Sequence, residues 1–256
     1  VLDLAGFDLT TEAVAVADGV TVSVVDSGTG DPGTLTLDAS TDGSGATTGA
    51  TVDGTLALAD DVTLDLAGTD AALAGAGALT VGANATVLLH GTALGTSVPT
   101  VTLDGTLRLA RDTVATLGDG DTLTVGAAGR VTAGAGDGAA PQLSGAGTLA
   151  NHGVVLPGVD VSVAVTDHAY AVTLDPGRGT LPGGSGTELT VYGPTVASTG
   201  QALATPTRTG YTWSGWLTGD DAVVTDDTAL PGEAAGSPVA VPLTSTWTLD
   251  QPITSL

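Results

Sequence analysis

The sequence of 256 residues contains no cysteine, no methionine and no lysine, and only five arginines stand against 28 acidic residues. Without cysteine the chain has no disulfide framework, no thiolate nucleophile and no cysteine-ligated zinc. The formal charge of −23 argues against nucleic acids and anionic membrane surfaces as partners, because both are bound through lysine and arginine. No apolar run approaches the roughly 20 residues of a membrane-spanning helix, so membrane insertion is not expected.

Aromatic residues are scarce, and they are concentrated at one end of the chain. Only Phe7 precedes position 170, whereas the other six aromatic residues and eight of the twelve prolines lie at or after it. Helix-favouring residues are few among frequent Gly, Thr and Val, which favours strands and turns. The sequence therefore predicts two all-β domains, residues 1–160 and 169–249. Residues 161–168 are expected to link them, and residues 250–256 to form a linker into further sequence of a longer multidomain chain.

The first domain repeats a glycine followed by alternating apolar residues, at intervals of 21, 23, 28, 24 and 18 residues. The six glycines are Gly33, Gly54, Gly77, Gly105, Gly129 and Gly147. Such intervals indicate a solenoid, and period-two alternation indicates strands. We predict a parallel right-handed β-helix of about seven short coils, with the 28-residue unit looping out near residues 91–98. A β-sandwich is the competing fold and predicts less register between units.

The outward positions of these six strands test for a flat threonine surface of the kind found in ice-binding solenoids. Only one of the six strands reads Thr-x-Thr, and two of them carry arginine. A flat threonine surface is therefore not predicted on these strands, although another face of the rod could carry one.

The chain also resembles known families. Leu2-Asp-Leu-Ala-Gly-Phe-Asp-Leu, followed by Gly19-Val-Thr-Val-Ser-Val-Val-Asp-Ser-Gly, resembles a coil pair of β-helical surface proteins of Gram-positive bacteria. Some of their relatives are pectate-lyase-like proteins that bind acidic polysaccharides. Because Val1 begins inside such a coil, we expect upstream sequence, with any secretion signal, to be missing. The resemblance implies a β-helix over about residues 1–156.

The second domain carries several separated motifs in a characteristic order. They are Tyr170-Ala-Val-Thr-Leu-Asp-Pro-Gly-Arg-Gly, Leu189-Thr-Val-Tyr-Gly, Pro206-Thr-Arg-Thr-Gly-Tyr-Thr-Trp-Ser-Gly-Trp-Leu-Thr and Leu243-Thr-Ser-Thr-Trp. This series resembles the Listeria–Bacteroides repeat, the internalin B-repeat module. The resemblance implies a small β-grasp-like fold in an extracellular, cell-wall or cell-surface-attached protein. The acidic, proline-rich residues 220–238 depart from the pattern and leave the strand after Trp216 in doubt.

Catalytic patterns are missing from the chain. His90, His152 and His168 lie in no G-x-S-x-G or H-E-x-x-H arrangement and have no metal-ligand spacing. The Asp residues mostly occupy predicted turns, as in Asp53-Gly, Asp104-Gly and Asp137-Gly, where the carboxylate hydrogen-bonds to nearby backbone. We therefore expect a protein that is not an enzyme.

Two kinds of charged residue could still bind a ligand. The acidic turns could hold calcium, with Asp119 and Asp121 as the named candidates, although neither they nor the other Asp pairs match a known calcium loop. Arg108, Arg111 and Arg130 lie on adjacent proposed coils, with Arg108 and Arg130 facing outward, and could bind an anionic sugar. The account we favour for these arginines is pairing with the nearby carboxylates of Asp104, Asp112 or Asp119, which is worth little at a surface.

Tyr211, Trp213 and Trp216 could suggest a ligand box, but a module of this size has few other large residues. We expect them to form its core.

These observations predict a non-enzymatic extracellular surface protein of the adhesin type, in which the rod is a stalk or presentation scaffold. Its partner would be a protein or glycan on a host or neighbouring cell. The alternative is a carbohydrate-binding protein that recognises anionic polysaccharide through the three arginines on the β-helix face. A third and weaker reading is a polysaccharide lyase or hydrolase.

Overall fold

The structure is a computed structural model that describes residues 1–38, 49–67, 72–90, 100–182, 188–230, 234–235 and 238–250. Within these ranges the protein is all-β, as predicted, with 27 strands numbered β1 to β27 in chain order and a 3-10 turn at Ala197–Thr199. No helix in the described ranges is long and apolar enough to cross a membrane.

The first of the long sheets, which we call the A sheet, has nine strands. All neighbours in it are parallel except the last pair, and the order is β1-β4-β7-β10-β12-β15-β18-β21-β26. The strands are β1 (Leu2–Asp3), β4 (Thr21–Val25), β7 (Thr55–Leu58), β10 (Ala78–Val81), β12 (Thr100–Leu103), β15 (Thr122–Val125), β18 (Thr148–Asn151), β21 (Ala164–Asp167) and β26 (Ala234–Ala235).

The second long sheet, the B sheet, contains seven parallel strands. They are β2 (Leu9–Thr11), β5 (Gly33–Leu37), β8 (Val62–Leu66), β11 (Thr86–Leu89), β13 (Thr106–Leu109), β16 (Arg130–Ala133) and β19 (Val154–Val155).

Two three-stranded parallel sheets occupy the third position of the coils. One contains β3 (Val14–Val16), β6 (Gly49–Val52) and β9 (Ala72–Ala74), and the other contains β14 (Val114–Leu117), β17 (Gln142–Gly145) and β20 (Asp160–Val161). The chain thus passes from the A sheet to the B sheet and on to a third strand in six of seven successive coils. In the fourth coil the third position falls in residues 91–99, outside the described ranges, and so does the loop predicted near residues 91–98. This topology is that of a β-helix-like solenoid.

The interior is built from columns of like residues in register. Along the A sheet, Leu56 pairs with Leu79 and Val101 pairs with Leu123, while Leu79 pairs with Val101, so each coil stacks its apolar side chain on the previous one. Nearly all the inward Leu and Val of the A and B sheets are buried, and they join in one core cluster. Aliphatic layers fill so narrow an interior almost completely, with one small cavity of about 20 Å³ beside Leu79, Val101 and Leu123 among the described residues, and this explains why the rod needs no rings.

The irregular glycine intervals in the sequence have a simple cause. Gly54 and Gly77 precede strands of the A sheet, whereas Gly33, Gly105 and Gly129 precede strands of the B sheet. The intervals therefore mix two different corners of the coil. Measured along the A sheet, from Leu79 to Val101 and from Val101 to Leu123, the repeat is 22 residues each time.

The C-terminal domain is one mixed sheet with the order β23-β22-β27-β24-β25. The first and last strands in chain order, β22 and β27, lie side by side at its centre and are parallel, and the other neighbours are antiparallel. The strand after Trp216, in doubt from the sequence, is present as the short β25. The strands are β22 (Tyr170–Asp175), β23 (Glu188–Val191), β24 (Tyr211–Leu217), β25 (Val223–Val224) and β27 (Val239–Leu249).

The two domains are joined by backbone hydrogen bonds. Residues 161–168, for which the sequence suggests a linker, contain β21, which extends the A sheet by one more strand and pairs with β26 of the C-terminal domain. Val155 N donates to Tyr192 O at 2.8 Å. The C-terminal domain therefore covers the end of the solenoid.

Asn151 marks this end of the apolar interior. It is fully buried below Val125 in an inward column of the A sheet. Its Nδ2 donates to His168 O, and its backbone O accepts from His168 N, both at 3.0 Å. The amide thus ties the segment that enters the C-terminal domain to the last full coil.

Candidate functional site

The three predicted arginines of the rod lie on its surface, two of them exposed and one half-buried. Arg108 on β13 and Arg130 on β16 both face outward on the B sheet, where Arg108 pairs with Thr132 and Arg130 pairs with Thr106. Arg111 is half-buried, and its Nε donates to Gly134 O at 3.2 Å. In the described part of the chain none of the three forms an ion pair, which differs from the pairing with nearby Asp that the sequence favoured.

A second set of cations and rings comes together in the C-terminal domain. An open groove of about 850 Å³ is lined by Arg178, Arg208, Tyr211, Trp213 and Trp247. Among the described residues, the rest of its lining is five threonines and Pro206, with no acidic residue, although Asp250 accepts a hydrogen bond from the lining residue Thr212 at 2.6 Å. We call it the arginine–aromatic groove.

The groove is assembled by two local features of the backbone. Thr180 and Thr207 exchange backbone hydrogen bonds at 2.8 and 2.9 Å, which brings the segment of Arg178 beside the segment of Arg208. Tyr211 N donates to Arg208 O at 3.2 Å in a turn that contains Gly210 at φ +78°. Glycine suits this left-handed position because it has no Cβ.

This turn folds the guanidinium of Arg208 back over the ring of Tyr211. The Arg208 Cζ lies 3.6 Å from the centroid of the Tyr211 ring and 6.0 Å from that of Trp247. Stacking on a ring orders the guanidinium while its N–H groups stay available for hydrogen bonds. In the described ranges neither Arg178 nor Arg208 forms an ion pair with a carboxylate.

The three residues expected to form the core of this domain separate into two groups. Trp216 is fully buried, and its Nε1 donates to Ala204 O at 3.1 Å. Tyr211 and Trp213 are half-buried and line the groove, although Trp213 also packs edge-on against Trp216 with centroids 6.1 Å apart. The sequence gives no signal for the groove, because Arg178 and Arg208 are 30 residues apart and meet only through strand pairing.

The predicted calcium ligands lie in a turn between the third strand of one coil and the A sheet. Asp119 is exposed, and the Oδ2 of Asp121 accepts a hydrogen bond from Gly118 N at 2.8 Å. Across the described ranges no three His, Asp or Glu residues are grouped so that they could hold a metal. The arrangement of Asp121 is that of a turn-stabilising carboxylate.

Other aspartates connect one coil to the next. Asp26 accepts backbone hydrogen bonds from Gly6, Gly28 and Gly33 at 2.5, 2.9 and 2.7 Å. Asp3 accepts from Ser27 N at 3.0 Å and from Ser27 Oγ at 2.7 Å. These bonds favour the charged carboxylates, so the hydrogen bond from Ser27 lowers the pKa of Asp3, and the bonds from Gly28 and Gly33 lower the pKa of Asp26.

The histidines lie near carboxylates or a phenol rather than near a nucleophile. His90 Nε2 lies 3.2 Å from Asp65 Oδ1, without hydrogen-bond geometry, and His152 Nε2 lies 3.8 Å from Asp167 Oδ2. The ring of His168 stacks on that of Tyr170, and its Nδ1 lies 3.3 Å from the Tyr170 hydroxyl. Ion pairs with these histidines require protonated imidazole.

Comparison with known proteins adds no assignment: no protein-family model matches the chain, and no curated protein and no solved structure matches it significantly.

Proposed function

We propose that the protein is a non-enzymatic extracellular surface protein whose solenoid is a stiff stalk and whose arginine–aromatic groove binds an anionic saccharide. The observation that carries the proposal is the groove itself. In a chain of charge −23 it gathers two of the five arginines and three of the seven aromatic rings, and no carboxylate is among the lining residues that the structure describes.

The stalk role rests on the regular stacking of the coils. Seven coils at about 4.8 Å give a rod about 30 Å long, held by parallel strand pairs along its whole length. We propose the right-handed form of the β-helix, as nearly all parallel strand connections are right-handed. The acidic turns would keep such a stalk soluble and self-repelling outside the cell.

We propose a β-grasp-like fold for the C-terminal domain. Its five-stranded mixed sheet, with the first and last strands parallel at the centre, supports this assignment. The segment between β23 and β24 contains a single 3-10 turn, at Ala197–Thr199, where a β-grasp usually carries a helix.

The chemistry of the groove points to a carboxylated sugar. A guanidinium binds a carboxylate through two parallel hydrogen bonds, and a half-exposed ring offers an apolar surface to the face of a sugar. Ligand sites typically combine such aromatic walls with a few placed polar groups. Threonine hydroxyls along the rim supply further donors and acceptors for sugar hydroxyls.

A second candidate is the rod surface of Arg108, Arg111 and Arg130. The observation that favours it is that these arginines have no carboxylate partner in the described ranges. It lacks aromatic rings and a concave shape, so we rank it below the groove.

The two surfaces can be separated by variants that change the charge equally. We would measure binding of the full chain to oligogalacturonate, alginate and glycosaminoglycan fragments by calorimetry, with and without EDTA. Arg178→Ala with Arg208→Ala tests the groove, and Arg108→Ala with Arg130→Ala is the matched control. We expect the groove pair to weaken binding about tenfold or more per arginine, since a hydrogen bond to a charged group contributes about 1.5–3 kcal/mol.

Each other result has a definite meaning. Loss of binding in the rod pair alone would replace the groove by the rod surface. Binding of no glycan by the unaltered chain would refute the saccharide proposal and direct the search to protein partners. Release of shortened or unsaturated product would refute the non-enzymatic role.

A further inference from the structure

The outward face of the A sheet has a composition unlike the rest of the molecule. From β4 to β21, seven successive strands share two outward positions, and the strand register aligns these residues in two columns; Val25, at the end of β4, also faces outward and pairs with Asp3 beyond the columns. All fourteen positions hold Thr, Ser or Ala. The first column contains Thr21, Thr55, Thr100, Thr122 and Thr148, and the second contains Thr80, Thr102, Thr124 and Thr166.

This face is uncharged on a protein of charge −23. Acidic residues such as Asp53, Asp104 and Asp119 stand in the turns on either side of it, but none enters the columns. The outward face of the B sheet differs, because Asp65, Leu88 and Arg108 follow one another in one of its columns.

Most hydroxyls of this face make no hydrogen bond with the part of the chain that the structure describes. Thr166 Oγ1 donates to Asp167 Oδ2 at 3.0 Å. For the other eight threonines and Ser23, no side-chain hydrogen bond is formed with any part of the chain that the structure describes. Elsewhere threonine hydroxyls do bond internally, as Thr113 does to Leu89 O at 3.3 Å.

The geometry of the face is periodic in two directions. Adjacent strands repeat at about 4.8 Å, and alternate residues along a strand repeat at about 6.6 Å. Threonine is β-branched and stiff at χ1, so each hydroxyl and methyl is held in one of few orientations. The oxygen lattice of ice has one repeat close to the spacing between strands and, at right angles to it, a repeat somewhat longer than the spacing along a strand.

Protein and sugar partners do not fit this face. Protein interfaces rely on Trp, Tyr and Arg anchors, and the two columns contain none. The aromatic rings and charges that favour sugar binding in the groove are absent from the columns too. A second copy would bring the flanking acidic turns of two chains of charge −23 together.

We infer that this face, which we call the threonine face, binds ice. Methyl groups would order the first water layer, and the regular hydroxyls would anchor that layer in register with the lattice. The surface is separate from the arginine–aromatic groove, so this inference does not depend on the proposed saccharide ligand.

The test is partition of the full chain into slowly growing ice, read from tryptophan fluorescence of the melted ice and of the remaining liquid. We expect the protein to be incorporated into the ice. Thr102→Tyr and Thr124→Tyr, each of which raises a ring above the centre of the face, should reduce incorporation to the level of an excluded solute.

The matched control is Thr86→Tyr, which places the same ring at an outward, half-buried position of the B sheet and should leave incorporation unchanged. Arg178→Ala with Arg208→Ala should also leave it unchanged. Melting curves by circular dichroism verify that each variant is folded.

Three results would overturn the inference. One is exclusion of the unaltered chain from ice. Another is equal loss in Thr86→Tyr and Thr102→Tyr. The third is that ice excludes the chain while the chain forms a dimer, or binds insoluble chitin or cellulose, and Thr102→Tyr abolishes that dimer or that binding.

Discussion

Truncation of Leu149 to alanine tests whether the end of the solenoid and the C-terminal domain unfold together. Leu149 is fully buried on β18, where it stacks between Leu123 and Val165 in the last full coil. Removing its side chain deletes apolar contacts and leaves a cavity that a close-packed stack fills poorly, at a cost of about 3–5 kcal/mol in the free energy of unfolding. At about 2–4 °C per kcal/mol for a chain of this size, the melting temperature should fall by about 6–20 °C.

The tryptophans supply a probe that reports only one domain. All three lie in the C-terminal domain, so fluorescence follows that domain while far-ultraviolet circular dichroism follows both. Because β21 pairs with β26 directly beside Leu149, we expect Leu149→Ala to lower both transitions.

The comparison variant is Leu64→Ala, at an equally buried position in the third coil. In a solenoid each repeat contacts only its neighbours, so this change should lower the dichroism transition more than the fluorescence transition. Thr148→Ala, on the outer side of β18, should change the free energy of unfolding by less than about 0.5 kcal/mol. If Leu149→Ala left the fluorescence transition unmoved, the reasoning about the junction would be wrong.

Three further changes test individual parts of the structure. Gly77→Ala would drive a Cβ into the backbone of Gly54 in the previous coil and should lower the free energy of unfolding, measured by urea titration, by about 1–3 kcal/mol. Gly219 has open space around it, so Gly219→Ala should leave that free energy unchanged. Asp26→Asn should flatten the dependence of the melting temperature on pH. The pKa of Asp26 in the folded chain is below its ordinary value of 3.8, so the stability that its charged form contributes is present above pH 3.8 and is lost as the pH falls through the lowered pKa. An unchanged profile of melting temperature from pH 2 to 5 would contradict this. Trp216→Phe should destabilise the protein by about 1–3 kcal/mol, because Ala204 O loses its hydrogen-bond donor. Trp213→Phe should cost less, since the Nε1 of Trp213 has no partner in the described ranges. Equal losses of stability in thermal unfolding would contradict these different roles of the two tryptophans.

Much of the fold follows from the sequence, because the rod is repetitive and its alternation is local. The period-two pattern around Leu56 and Leu79 identifies which residues face inward, and the absence of rings before position 170, Phe7 apart, locates the domain change. The pattern does not tell which corner a glycine occupies, since Gly-Thr-Leu opens strands of both the A sheet and the B sheet. When the strands that follow these glycines are compared without regard to their sheet, Arg108 of the B sheet is grouped with threonines of the A sheet, and the threonine face is not apparent.

The candidate sites were harder to predict because long-range pairing creates them. Thr100-Val-Thr and Thr122-Leu-Thr lie one coil apart without an opening glycine, and comparing them would have pointed to the threonine face. The bridge between Thr180 and Thr207 brings the segments of Arg178 and Arg208 together, and no local sequence pattern predicts this bridge. The aspartates show the same limit: Asp26 reads as a turn residue, yet one of its hydrogen bonds reaches Gly6 in the previous coil.

The direction of the hydrogen bonds in the solenoid determines how it would respond to tension. The bonds between coils run along the rod axis, so a pull on the two ends loads every strand pair of a junction at the same time rather than one after another. The middle junctions share the force among strands of three to five residues, whereas β1, β19 and β20 contribute only two residues each. We therefore expect a stretched rod to part near its ends first, and to lengthen by releasing whole coils while its centre stays intact.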